Sequence, residues 1–105
     1  MPAPDRTLGL LGMAARAGAI VPGTERVREA ARGGGLSLVI LATDASGNSR
    51  EKLLPLLVAR GVSHVIRYDR SQLGAAVGRA QLSAVGVVDR ALADRLQVLL
   101  RDSAG

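Results

Sequence analysis

Residues 33–49 constrain the fold more than any other stretch of the chain. Three glycines precede an apolar run, residues 36–42, that is rich in Leu, Val and Ile. The run is too short for a helix of ordinary length, and its unbroken apolar character is typical of a strand buried on both faces. It therefore predicts a central strand of a parallel or mixed sheet. Ligands of open α/β sheets collect beyond the carboxyl ends of strands, so residues 44–48 are the first place to expect a functional site.

Segments with helical and strand patterns alternate along the rest of the chain. Helices are predicted over residues 7–17, 23–32, about 46–60, 72–77 and from 89 or 90 onward, and strands over residues 19–21, 36–42, 62–68 and 82–88. Pro55 falls inside the third helix and predicts a kink or a break there. The order predicts one domain, residues 1–105, folded as an α/β three-layer sandwich. Its small mixed four-stranded sheet carries helices on both faces.

The composition argues against several kinds of site. The chain has no cysteine and one histidine, which excludes disulfides and thiolate metal sites and leaves few ligands for zinc, so neither a metal nor a cofactor is expected. Its apolar runs are far shorter than the roughly 20 residues that span a membrane. The first residues lack the basic region of a signal peptide. We therefore expect a cytoplasmic protein with no membrane partner.

No group of residues has the spacing of a catalytic site. The glycine triplet precedes its strand, whereas a dinucleotide site needs glycines directly after one. Asp44 resembles a phosphoacceptor, but Lys52, the only lysine, follows it too closely to serve that chemistry. His64 alternates along a strand in the manner of a half-buried structural histidine. Ser46 and Asp44 are better interpreted as caps of the third helix. We predict that the protein is not an enzyme and has no small-molecule substrate.

Charge is the strongest functional signal. The formal net charge is +5, the isoelectric point is about 11.3, and arginine supplies all but one of the 14 cations. Arginine presents a planar fork of donors that suits phosphate, so a basic domain of this size is a nucleic-acid candidate. If the sheet brings the start of the second helix together with residues 44–48 and 78–83, Arg26, Arg28 and Arg79 share one surface with free helix N–H groups. A single aromatic residue disfavours base stacking and favours a folded RNA.

Five short motifs follow one another over most of the chain. They are L-G-L-L-G-M-A-A-R-A-G at 8–18, a helix started by Gly23, L-V-I-L-A-T-D-A-S at 38–46, L-P-L-L at 54–57 and L-G-A-A-V-G at 73–78. In this order and spacing the chain resembles the kink-turn-binding ribosomal protein superfamily (the large-subunit seven-Ae and thirty-e type), and within it the bacterial YlxQ-like branch.

The resemblance implies an α/β/α sandwich that binds kinked, internally looped RNA stems without catalysis. The implied partners are structured RNA, either a kink-turn or ribosomal RNA, and components of the ribosome or of another ribonucleoprotein. Three segments that make RNA contacts in the family carry over by position. They comprise Gly23, Thr24, Glu25, Arg26, Arg28, Asp44, Ala45, Ser46, Gly78, Arg79, Ala80, Gln81 and Leu82.

The second helix departs from the family's usual pattern. Kink-turn binders carry G-x-N-E-x-x-K there, whereas this chain has Glu25 in place of Asn, Arg26 in place of Glu and Glu29 in place of Lys. Two functions are therefore compatible with the sequence. One is recognition of kink-turn-like RNA; the other is a protein-interaction module on the same fold that has lost kink-turn specificity.

Overall fold

The computed structural model describes residues 5–102, in which helices and strands alternate. The helices are α1 (Arg6–Arg16), α2 (Thr24–Gly33), α3 (Gly47–Ala59), α4 (Arg70–Ala76) and α5 (Arg90–Asp102). The strands are β1 (Ile20–Pro22), β2 (Leu38–Leu41), β3 (His64–Ile66) and β4 (Ala84–Val87). Every predicted element between residues 5 and 102 is present. β2, β3 and β4 are shorter than predicted at both ends, whereas β1 keeps its predicted length and lies one residue later.

The four strands form one mixed sheet in the order β1-β4-β2-β3. β2 runs parallel to β3 and antiparallel to β4, with Leu41 opposite Ala84, and β4 runs antiparallel to β1, with Pro22 opposite Val85. β1, β2 and β3 therefore end where β4 begins. We call this the C-terminal end of the sheet. α2 packs against α3, while α1 packs against α4 and α5, which confirms the predicted α/β sandwich with a four-stranded mixed sheet.

β2 is the buried centre of the molecule, as its apolar run predicts. All four of its residues are at most 2 % exposed. Its pairing continues beyond its ends, because Ser37 donates its N–H to the Val87 carbonyl and Ala42 donates to the Ser83 carbonyl, each at 2.8 Å. Leucines from the surrounding helices complete the core around it, among them Leu11, Leu53 and Leu96. Each such side chain contributes about 1.5–3 kcal/mol through its burial.

Of the kink or break predicted at Pro55, the break does not occur, because α3 continues through this residue. A proline inside a helix leaves the carbonyl four residues earlier, here that of Glu51, without its donor. Pro55 and Glu51 are both exposed, so water can satisfy this carbonyl. The opposite face of α3 buries Leu53 and Leu57, and this packing holds the helix together.

His64 is exposed rather than half-buried, because β3 is an edge strand and offers one side to solvent. Its Nδ1 lies 2.9 Å from the Val62 carbonyl oxygen. None of the helices found between residues 5 and 102 combines the length and the hydropathy of a membrane span.

Candidate nucleic-acid interface

The three segments that the sequence singles out meet at the C-terminal end of the sheet. Gly23 donates its N–H to the Ala84 carbonyl at 2.9 Å, which joins the start of α2 to the start of β4. Ala42 donates to the Ser83 carbonyl, which joins the end of β2 to the loop before β4. We call this surface the loop face. It consists of the start of α2 (Gly23, Thr24, Glu25, Arg26 and Arg28), residues 44–46 and residues 78–82.

At the start of α2, the N-cap residue provides no side chain to cap the first backbone N–H groups of the helix. Gly23, the N-cap, has a φ of 96° and ψ of 153°, a conformation that favours glycine. The first intrahelical hydrogen bond runs from the Val27 N–H to the Gly23 carbonyl. The N–H groups of Thr24, Glu25 and Arg26 come before it, and glycine has no side chain with which to cap them. These donors and the helix dipole together favour an anion at this position.

Three hydroxyl groups connect the starts of α2 and α3. Thr24 Oγ1 donates to Ser49 Oγ at 3.2 Å, and Ser46 Oγ donates to the same oxygen at 3.2 Å. Ser46 Oγ also accepts the Ser49 N–H at 3.1 Å and so caps α3, as predicted. Ser49 was not among the predicted site residues, although it lies against Thr24.

An ion pair crosses from α3 to α2 beside these hydroxyls. Lys52 Nζ lies 2.7 Å from Glu25 Oε1, and Arg28 Nη1 lies 3.8 Å from Glu25 Oε2. The hydrogen bond and charge of Lys52, followed by the charge of Arg28, hold the pKa of the Glu25 carboxyl below its ordinary value. Lys52 is thus a cation of this surface that the sequence motif does not identify, because it is 27 residues from Glu25 in the chain.

Asp44 caps α4 rather than α3, which corrects the expectation from sequence. Its Oδ1 accepts the Arg70 backbone N–H at 2.8 Å, and its Oδ2 lies 3.3 Å from Arg70 Nε. The backbone bond from Arg70 is the main cause that holds the pKa of the Asp44 carboxyl below its ordinary value. Asp69 caps the same helix by accepting the Gln72 N–H at 2.7 Å. Because β2 and β3 are parallel neighbours, the residues after them meet, and Arg70 joins the surface.

The residues after β2 are held from both sides. Thr43 donates its N–H to the Tyr68 carbonyl at 2.7 Å, and the guanidinium of Arg50 donates to the Thr43 carbonyl. Ala45, a predicted site residue, is only 8 % exposed and belongs to the core. Its side chain is therefore unavailable to a ligand, whereas Asp44 and Ser46 on either side of it are exposed.

The loop before β4 lies across α4 at Gly74. Arg79 donates its N–H to the Gly74 carbonyl at 2.8 Å, and Leu82 donates to the Arg70 carbonyl at 3.1 Å. A Cβ at Gly74 would lie 2.7 Å from the Ala80 carbonyl oxygen, so only glycine permits this approach. The loop exposes Arg79, Ala80 and Gln81, and it half-buries Leu82. Gly78, with a φ of 79°, makes the turn out of α4.

Two arginines of the loop face are best placed to meet a phosphate. Arg26 and Arg79 are exposed, and neither forms an ion pair within residues 5–102. Arg28, by contrast, lies close to a carboxylate. Over the same range no cluster of three or more His, Cys, Asp or Glu side chains could hold a metal ion. The chemistry that this surface offers is therefore cationic and hydrogen-bonding.

Comparison with known families identifies the fold's relatives. A model of the ribosomal protein L7Ae/L30e/S12e/Gadd45 family matches residues 5–96. The chain belongs to this family. The matched range includes all three segments of the loop face, and the resemblance drawn from the five sequence motifs is confirmed.

Individual members of the L7Ae/L30e/S12e/Gadd45 family are also similar over nearly the whole chain. The RNA-binding protein YlxQ of Bacillus subtilis (strain 168) is 33 % identical over 91 residues, which cover 87 % of this chain and 91 % of that protein. The chain is thus a YlxQ-like member of the family. A protein of unknown function from Bacillus halodurans superposes with a TM-score of 0.89 and 33 % identity, covering 93 % of this chain and 99 % of the other.

A more distant structure shares the fold. The Giardia lamblia 15.5kD RNA binding protein superposes with a TM-score of 0.76 at 22 % identity, covering 95 % of this chain and 89 % of the other. The α/β sandwich is therefore retained at low sequence identity.

Proposed function

We propose that this chain is a non-catalytic, cytoplasmic RNA-binding protein that uses the loop face to recognise structured RNA with a kinked, internally looped stem. The observation that carries the proposal is the meeting of three separate segments at the C-terminal end of the sheet. Membership of the L7Ae/L30e/S12e/Gadd45 family supports it, as does the Bacillus subtilis relative that is named an RNA-binding protein.

Phosphate contacts come from Arg26, Arg79 and the start of α2. Both arginines are exposed, and the uncapped N–H groups of Thr24, Glu25 and Arg26 add donors beside one of them. A phosphate that approaches α2 therefore meets a guanidinium, backbone donors and the positive end of a helix dipole together. Lys52 and Arg70 also belong to this surface, but each is paired with a carboxylate there, Lys52 with Glu25 and Arg70 with Asp44.

Contacts to bases come from Gly23, Thr24 and Glu25 at the start of α2. The side of the Gly23 Cα where a side chain would stand is open, so a base can approach the backbone there. The Glu25 carboxylate, which is 63 % exposed, can accept from base amino groups while it holds Lys52. Glu25 occupies the position at which the family's kink-turn binders carry Asn. We therefore infer a modified form of kink-turn recognition, in which the Glu25 carboxylate, paired with Lys52, takes the place of the Asn amide.

The test is a titration of the protein against a kink-turn RNA and an unkinked duplex of equal length, each at low and moderate salt. We expect tighter binding to the kinked RNA and a steep loss of affinity with salt, since each phosphate contact releases counterions. Changing Arg26, Arg28 and Arg79 together to Ala should weaken binding by about a hundredfold and reduce the salt slope by about two to three.

A matched control changes three arginines at the opposite end of the sheet. Arg32→Ala, Arg60→Ala and Arg90→Ala together remove the same charge, and we expect them to weaken binding far less. Equal loss in the two triple variants would contradict the assignment of the loop face. Equal, weak binding of both RNAs would contradict recognition of a kink. Absence of binding to either RNA by the folded protein would favour the protein-interaction module.

A further inference from the structure

A second concave surface lies outside the loop face, between the edge strand β3 and the end of α5. It is a groove of about 550 Å³ with apolar walls from Leu38, Val65 and Leu100. The nine residues that line it include His64, Arg67 and Arg101 but no carboxylate. None of the lining residues belongs to the loop face, so RNA binding there leaves the groove unused.

The backbone of β3 presents hydrogen-bonding groups to this groove. Ser63 accepts the Val39 N–H at 2.9 Å, and Arg67 donates its N–H to the Leu41 carbonyl at 3.0 Å. Peptide groups alternate in direction along a strand, so residues 63, 65 and 67 face β2. The N–H and C=O groups of His64 and Ile66 therefore point to the open side, where the described part of the sheet has no further strand.

The two edges of the sheet differ in their ability to accept another strand. β1, the other edge, ends in Pro22, which lacks an N–H and weakens strand addition. β3 contains no proline, and its residue Ile66 is 42 % exposed. An added strand on β3 would thus find both backbone partners and apolar surface.

The positive charge of the groove favours an acidic ligand. Arg101 is exposed and has no acidic partner within residues 5–102, and Arg67 extends beside it, with a donor 3.4 Å from the Leu100 carbonyl. A second copy of this chain, added edge to edge, would bring further arginines and the same positive charge to the contact. Opposite charges across strands stabilise pairing and like charges destabilise it.

We propose that this groove binds an extended acidic peptide of a partner protein, which adds to β3 as a fifth strand. Its backbone pairs with His64 and Ile66, its apolar side chains contact Val65 and Leu100, and its carboxylates meet Arg67 and Arg101. Main-chain bonds then give affinity, and alternate side chains give specificity.

The test uses a capped peptide of about eight residues, ample for one strand, in which every second residue is Ser and the positions between them alternate between Val and Glu. The Val and Glu side chains then share one face of the added strand, just as Val65 and Arg67 share one face of β3. Titrated into isotope-labelled protein, the peptide should shift the amide resonances of residues 63–67 and 97–101. The same peptide with Lys in place of Glu should bind at least about fivefold more weakly. Two further versions of the acidic peptide carry N-methyl groups, one on its odd-numbered and one on its even-numbered residues. Their affinities should differ, because only the residues whose N–H groups face β3 need those groups for binding.

Variants of α5 test the role of charge without altering the sheet. Arg101→Glu should weaken binding of the acidic peptide by about fivefold, whereas Arg95→Glu, an equal change of charge outside the groove, should not. Equal binding of the acidic and basic peptides, equal effects of the two N-methylated versions, or shifts confined to the loop face would each overturn the proposal. Displacement of the acidic peptide by RNA would show that RNA is the occupant.

Discussion

Lys52 Nζ lies 2.7 Å from Glu25 Oε1, and this ion pair places an acidic group of α2 in contact with the only lysine of the chain. Glu25 also lies 3.8 Å from Arg28. One carboxylate thereby offsets two cations on a surface that we assign to RNA. Its position decides how strongly this part of the loop face attracts phosphate.

Glu25→Gln should tighten binding of structured RNA. The amide keeps the size of the side chain but no longer neutralises Lys52 and Arg28, so we expect about three- to tenfold higher affinity and a salt slope steeper by about one. Glu29→Gln, an equal change of charge farther along α2, is the control, and its effect should be smaller. The amide oxygen can still accept from base amino groups, as we propose for the carboxylate of Glu25. Weaker binding of the variant would contradict the prediction, because it would mean that the bases require the negative charge more than the phosphates are repelled by it.

Gly74→Ala should destabilise the protein and displace the loop that carries Arg79. The added Cβ would lie 2.7 Å from the Ala80 carbonyl oxygen, which is backbone and cannot turn away as a side chain could. We expect a loss of about 1–3 kcal/mol in the free energy of unfolding, measured in urea.

Gly9→Ala is the matched change for comparison. Gly9 also lies in a helix, and apart from its chain neighbours and the backbone of α1 no atom of residues 5–102 lies within 4 Å of its added Cβ. This variant should therefore gain about 0.5–1 kcal/mol. Equal losses at the two positions would mean that close approach at Gly74 does not limit the fold.

Stability should fall in acid partly through Asp44. The folded protein holds the pKa of this carboxyl below its ordinary value of 3.8, so its contribution is complete above that pH and is lost as the pH falls through the folded pKa. Asp44→Asn keeps an oxygen for the Arg70 N–H but does not titrate. The difference in unfolding free energy between the two proteins should therefore shrink below about pH 4. Parallel profiles from neutral to acid pH would contradict this.

Tyr68 should titrate above its ordinary pKa of 10.0. Burial is the main cause that raises the pKa of this phenol, and Asp5 adds to it, since both Asp5 carboxylate oxygens accept from the hydroxyl at 3.0 Å. The neutral phenol therefore stabilises the fold below pH 10, and this contribution is lost as the pH rises through the folded pKa.

The absorbance of phenolate measures the pKa of Tyr68 directly, because Tyr68 is the only tyrosine and the chain has no tryptophan. Asp5→Asn should lower the midpoint, since it removes the negative charge while an amide can still cap α1. A midpoint at 10 in the unmodified protein, or no change in the variant, would rule out the proposed effect of Asp5.

The sequence determined the features that depend on near neighbours in the chain. The apolar run at residues 38–41 is buried as predicted, Ser46 caps α3, and Asp69 opens α4 with a capping box to Gln72. Each of these features involves residues three or four apart, or one short segment, so local periodicity and capping chemistry suffice to predict it. The family motifs extend this to the α/β sandwich as a whole.

Only the tertiary structure decided which distant groups meet. Asp44 looked like a cap for the helix that follows it, but it binds the start of α4, 26 residues away, because β3 lies parallel beside β2. Lys52 reaches Glu25 because α3 packs on α2, and Ala45 turns into the core between two exposed neighbours. Pro55 stays within α3 because the packing of Leu53 and Leu57 outweighs the loss of one helical hydrogen bond, the one to the Glu51 carbonyl. Such pairings depend on strand order and packing, which no local pattern of residues encodes.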